Sequence, residues 1–242
     1  MGVNFSIITG VVKSIQVSTP KDPKKNPSAV IVLQYGAQRD TTGGQVEFVN
    51  ALTVRIPSYR FPRYADRLAV GQEIVVHGRS QGVLKRVMNE AFIVNETIAD
   101  RIDFRTAPSV DGVEAPAQVM DTDGVNVSVV SGVIKSIQVS TPKNASKSPS
   151  AVVVIQYGPQ RDTTGGQVEF VNALSVRIPS YRYPRYADRL AVGQEVVIYG
   201  RGQGVLKRVM NEAFIVNETV ADRVDFENAA EPHEAAAADA TE

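Results

Sequence analysis

The residues best suited to chemistry are cations interleaved with flat rings. The stretch Arg55-Ile-Pro-Ser-Tyr59-Arg60-Phe61-Pro-Arg63-Tyr64 recurs at Arg177 to Tyr186, where Tyr181, Arg182, Tyr183, Arg185 and Tyr186 hold the matching places and Tyr183 replaces Phe61. Guanidinium groups pair with phosphates and aromatic rings stack on bases, so the alternation suits a polyanion whose bases are unpaired. Pro57 and Pro62 stiffen the stretch and lower the cost of ordering it. The same rings could instead plug the end of a barrel while the arginines stay solvated, and the sequence leaves both readings open.

Other cations are candidates for the same role, namely Lys13 with its mate Lys135, Arg39 with Arg161, and Lys85-Arg86 with Lys207-Arg208. Phe48, Phe92 and Tyr35 lie in apolar runs, where stacking competes with core filling. Enzymatic readings lack material. There is no cysteine, His77 becomes Tyr199 in the second copy, and His233 lies near the end of the chain. A histidine-based triad, a zinc cluster or a thiol nucleophile is therefore excluded, and no metal or cofactor is expected. Thr41-Thr-Gly-Gly44 lacks the lysine of a phosphate-binding loop and reads as a hairpin turn.

What positions these residues is a repeat. Sliding the chain by 122 places sets Gly2–Phe104 on Gly124–Phe226 without a gap, and 83 of the 103 pairs are identical. A period this long is a domain, which predicts domains at 1–104 and 124–226. Between them, 105–123 is rich in Pro, Ala and acid and reads as a flexible linker. The last stretch, 227–242, has too few apolar residues to fold and reads as a disordered tail. The formal net charge of zero hides a segregation. The first repeat has 13 basic and 9 acidic residues and the second 12 and 8, so each carries +4, whereas the linker carries −3 and the tail −5. Two basic domains with acidic connectors suit a polyanionic partner.

Within a repeat the pattern is β throughout. Apolar, β-branched runs at Phe5–Val17, Ala29–Tyr35, Val46–Ile56, Glu73–Arg79 and Glu90–Thr97 are separated by Gly, Pro and polar turns. Gly10 predicts a bulge in the first strand, Gly82 predicts the turn between the last two, and the segment around 63–70 predicts a short helix. Three strands, a short helix and two strands is the order of a five-stranded Greek-key OB barrel, so the expected fold is all-β with two such barrels in tandem.

The chain also resembles the bacterial-type single-stranded DNA-binding proteins. The likeness rests on Asn4-Phe-Ser-Ile-Ile-Thr-Gly10-Val-Val, on the long second hairpin, and on Leu68-Ala-Val-Gly71-Gln-Glu-Ile-Val-Val-His-Gly78-Arg79, which returns as Leu190 to Arg201. The chain departs from that family in having no tryptophan and in ending Ala-Thr-Glu242 instead of in a hydrophobic tip. The resemblance implies a non-enzymatic, cytoplasmic protein that coats single-stranded DNA in replication, recombination or repair. It further implies that the two barrels can pack together as a pseudo-dimer, so that two chains give a four-barrel assembly, and partners among replication or recombination proteins. An assembly module that binds no nucleic acid, and an RNA-binding protein, are the alternatives. No run is apolar enough to span a membrane.

Overall fold

The computed structural model describes residues 2–37, 47–87, 90–105, 124–144, 148–159, 169–209 and 212–227. The first half contains β1 (Asn4–Ser18), β2 (Ser28–Gln34), β3 (Glu47–Val49), β4 (Ala51–Ile56), β5 (Glu73–Val87) and β6 (Glu90–Phe104). The second half repeats them as β7 (Asn126–Ser140), β8 (Ser150–Gln156), β9 (Glu169–Val171), β10 (Ala173–Ile178), β11 (Glu195–Val209) and β12 (Glu212–Phe226). A single 3₁₀ turn, Phe61–Arg63 or Tyr183–Arg185, follows β4 or β10.

Alternation drives these strands. In β2, Ala29, Ile31 and Leu33 point inward and Val30, Val32 and Gln34 outward; in β4, Leu52, Val54 and Ile56 are fully buried. Strands β1, β2, β4, β6 and β5 pair in that order and β5 returns to β1, closing a barrel in which only the β4–β6 pairing is parallel. The second half closes in the same way, and each barrel has its own apolar core. The fold is thus all-β, two tandem five-stranded OB barrels, as expected.

Three details differ from the expectation. The bulge in β1 falls at Lys13, between Val12 and Ser14, whereas a Cβ on Gly10 would be driven into the Gln34 carbonyl of β2. The third strand is split at Asn50, where the chain changes partner: β3 pairs with β11 of the other half and β4 with β2. The β5 strand does not turn at Gly82 but runs on to Val87, so Lys85 and Arg86 lie on a strand and not in a loop, as do Lys207 and Arg208. Gly82 is needed for close approach instead, because a Cβ there would meet the Ala173 carbonyl oxygen, and one on Gly204 the Ala51 carbonyl oxygen.

The two halves are also joined to one another. The halves are not merely tethered but form one continuous sheet of twelve strands. Strands β1 and β7 pair antiparallel about Ser6 and Ser128, whose hydroxyls are 3.2 Å apart. The β5–β6 arm reaches over to β9 and the β11–β12 arm to β3. Asn95 bonds the Ser175 backbone at 2.6 and 3.1 Å, and Asn217 bonds the Thr53 backbone at 2.6 and 3.0 Å. Residues 106–123 and 228–242, the expected linker and tail, lie outside the described residues.

Candidate nucleic-acid interface

The segment after β4 folds so that its rings point in opposite directions. The Pro57 carbonyl accepts the N–H groups of both Arg60 and Phe61 at 2.9 Å, which throws Ser58 and Tyr59 outward and turns Phe61 in. Tyr59 is 60% exposed and Tyr181 63%, whereas Phe61 is 6% exposed and belongs to the core. Tyr64 packs on that core, and its hydroxyl accepts the Ile102 N–H at 3.2 Å. Tyr186 is 9% exposed and accepts the Val224 N–H at 3.3 Å, and Tyr183 is partly buried beside it. Phe61 and Tyr186 are thus part of the core, and Tyr64 and Tyr183 are partly buried against it, so these four rings help to close the barrel end. Of the rings in the two stretches, Tyr59 and Tyr181 remain as platforms.

Each platform is bordered by two guanidiniums. The Arg60 guanidinium lies 5.3 Å from the Tyr59 ring centre, donates to the Asp100 carbonyl oxygen and sits 3.4 Å from the Asp100 carboxylate. Arg79, on β5, donates to the same carboxylate oxygen. In the second half Arg182 lies 5.3 Å from Tyr181, donates to the Asp222 carbonyl and approaches its carboxylate at 3.3 Å, and Arg201 joins it there. A hydrogen bond from Arg60, then Arg79 beside it, holds the Tyr59 hydroxyl below its ordinary value, with partial burial working the other way. Arg182 and Arg201 do the same to Tyr181. Beside Tyr181 runs an open groove of about 600 Å³, lined by Ser140, Pro142, Ser148, Ser150 and Ser180.

The other cations divide into paired and unpaired. Arg55 meets Glu96 at 3.0 Å, and Arg177 meets Glu218 at 2.9 Å while lying 4.9 Å from the ring of Phe48 in the opposite half. Phe48 is therefore neither core nor free but part of the contact between halves. Arg63, Arg185, Lys13 and Lys135 are exposed and, among the described residues, their side chains form no ion pair; the same holds for Lys21, Lys24, Lys25 and Lys143 beside the first strand of each half. Tyr35 packs on the core and donates to the Val49 carbonyl at 3.4 Å. Arg39 and Arg161 lie outside the described residues, as do the side chains of Lys85, Arg86, Phe92, Lys207 and Arg208.

Sequence reasoning missed Arg79 with Arg201 and Asp100 with Asp222. A signal existed: each arginine follows a glycine at a strand bulge, between His77 and Gly78 or Tyr199 and Gly200. A bulge re-aims the next side chain.

Fold and site together define a tandem OB-barrel protein with two matching tyrosine–arginine platforms. No family model and no curated protein matches the chain. Two solved structures of the single-stranded DNA-binding protein from Thermus aquaticus are similar to it. A deletion variant that also carries an arginine-to-alanine substitution aligns at TM-score 0.58 and 18% identity, over 96% of this chain and 98% of that one. The wild-type protein aligns at 0.54 and 17%, over 93% of each. At such identities the likeness is one of fold, over nearly the full length of both chains.

Proposed function

We propose that the chain binds single-stranded DNA, without catalysis and with little sequence preference, by stacking bases on Tyr59 and Tyr181 and holding phosphates with the surrounding cations. The observation that carries this reading is the pair of exposed rings, each beside two arginines on two barrels joined in one sheet. Arg60, Arg63, Lys13 and their mates Arg182, Arg185 and Lys135 are the phosphate contacts. Arg39, Lys85 and Arg86, with Arg161, Lys207 and Arg208, extend the path. Arg55 and Arg177, each matched by a glutamate, play a lesser part. The fold shared with the Thermus aquaticus protein supports the reading, as does the sequence resemblance.

Avidity then comes from a fixed spacing between two sites, not from a flexible tether. The 83 matching residues support an origin by duplication of one barrel. The same reading makes the protein cytoplasmic, acting in replication, recombination or repair with protein partners from those processes. Val3, Phe5, Val125, Val127 and Tyr199 are exposed around the β1–β7 junction, an apolar face that supports a four-barrel assembly of two chains. Sedimentation should then give the mass of two chains, falling to one when Phe5 and Val127 are changed to glutamate; a wild-type mass of one chain would exclude the assembly.

Binding is tested by fluorescence anisotropy with labelled oligo-dT of roughly 30 nucleotides, a length within the ~4–16 nucleotides per barrel that OB folds occupy. A duplex and an RNA of equal length serve as competitors across a salt series. Single strands should be preferred, with affinity falling steeply as salt rises. Changing Tyr59 and Tyr181 to alanine should weaken binding by about 10-fold or more, since stacking contributes ~1–3 kcal/mol per base. No binding at low salt would overturn the reading, and tighter binding of the RNA would redirect it.

A further inference from the structure

The acidic residues at the two platforms are unexpected in a site for a polyanion. Asp100 is half-buried, with its side chain 31% exposed, and its two oxygen-bearing groups bind different arginine atoms. Its carbonyl takes Arg60, and its carboxylate takes Arg79 and the second arm of Arg60. Asp222 does the same for Arg182 and Arg201. The arrangement at Arg177 differs: it faces Glu218 at 2.9 Å, one guanidinium to one carboxylate.

Two guanidiniums against one carboxylate leave one positive charge unmatched. Each guanidinium also has five N–H donors in a planar fork, and Asp100 occupies only some of them. The arginines are themselves part-exposed, at 29% for Arg60 and 39% for Arg79, so an anion can reach the free donors. Arg60 comes from the turn after β4 and Arg79 from β5, and Asp100 on β6 is the residue that brings the two together.

We propose that Asp100 and Asp222 are positioning residues, each gathering two arginines beside an exposed tyrosine into a site that holds one phosphodiester of a single strand while the neighbouring base stacks on the ring. The proposal rests on the single-strand-binding reading above. It makes Arg79 and Arg201 phosphate contacts, and it assigns an acidic residue a favourable part in binding an anion. The carboxylate lowers the net charge of the site but converts two mobile cations into a preorganised pair, and preorganisation reduces the ordering cost of binding.

Positioning and simple electrostatics predict opposite signs, which makes the test sharp. In the full-length chain Asp100→Asn with Asp222→Asn adds two units of positive charge. If the carboxylates only repel the ligand, oligo-dT binds more tightly. If they position the arginines, binding weakens by about 10-fold, the equivalent of one charge-assisted hydrogen bond. The dependence of log affinity on log salt then also becomes shallower by roughly 1.4, for two phosphates lost from a single strand. Asp100→Glu with Asp222→Glu should recover part of the loss.

Arg79→Lys with Arg201→Lys gives a second arm that keeps the charge and the barrel while losing the planar fork, and binding should weaken there too. Equal or tighter binding by the asparagine variant overturns the proposal. If that variant does not fold, unchanged binding by the lysine variant overturns it. Failure of the wild-type chain to bind oligo-dT at all would instead remove the underlying reading.

Discussion

The seam between the halves and the outer ends of the barrels use similar polar side chains to opposite effect. At the seam, Asn95 and Asn217 are 5% exposed, and each bonds the backbone of the opposite half through both its amide oxygen and its nitrogen. Buried amides with complete hydrogen bonding define a geometry and leave nothing for a ligand. At the barrel ends, Tyr59 and Tyr181 stand in solvent and each arginine pair keeps an unmatched charge. Even the cation–ring contacts divide this way. Arg177 lies on Phe48 across the seam, whereas Arg60 lies beside Tyr59 where a ligand can reach both. What separates a structural contact from a candidate binding contact here is whether the partners already satisfy one another.

The comparison can be broken most severely at the seam. A Cβ on Gly82 or Gly204 would be driven into a backbone carbonyl of the other half, Ala173 or Ala51, and backbone cannot swing aside as a side-chain tip can. Gly82→Ala combined with Gly204→Ala should therefore push the arms off the opposite barrels. Two such clashes at ~2 kcal/mol or more each should lower Tm by roughly 10 °C in a chain of this size. Calorimetry measures it. A Tm within a degree or two of wild type would show that the arms are not held where the structure places them. Gly71 and Gly193 offer an internal contrast: a Cβ there meets nothing, but φ of 86° and 89° makes any side chain strained, so alanine at those positions should cost less than the seam pair.

The same contrast explains which features could be read from the sequence. Strands such as β2 and β4 were legible because each alternates strictly, with one face buried in its own barrel. The Arg55–Tyr64 stretch was legible as cation and ring, but not the direction of each ring, because that depends on one carbonyl, at Pro57, accepting two N–H groups. Gly82 resembled a turn because glycine marks both turns and close approaches, and only the opposite barrel distinguishes them. Arg79 and Asp100 are 21 residues apart and meet through the pairing of β5 with β6, so no local pattern announces the cluster. The docking of the halves was equally nonlocal, carried by neutral Ser, Thr and Asn side chains that a sequence alone would place on any polar surface.

The finest expected effect concerns the hydroxyls of the two platforms. Both Tyr59 and Tyr181 are held below the ordinary tyrosine value of 10.0, first by the hydrogen bond from Arg60 or Arg182 and then by Arg79 or Arg201. A depressed folded value means that the native chain gives up this proton before the unfolded chain does. The resulting stabilisation is complete above the ordinary value and is lost as pH falls through the lowered one. For a nucleic-acid ligand the consequence is opposite in sign, because the phenolate adds negative charge beside the phosphate. Affinity for oligo-dT should thus decline as pH rises through the lowered value, before free tyrosine would ionise. The measurement is a difference titration of near-ultraviolet phenolate absorbance between the wild-type chain and Tyr59→Phe with Tyr181→Phe. A difference band that titrates below 10.0 supports the arginine-bordered platforms. A band at or above that value would mean that the arginines do not reach the hydroxyls, and the contrast between satisfied seam and open barrel end would then rest on the exposed rings alone.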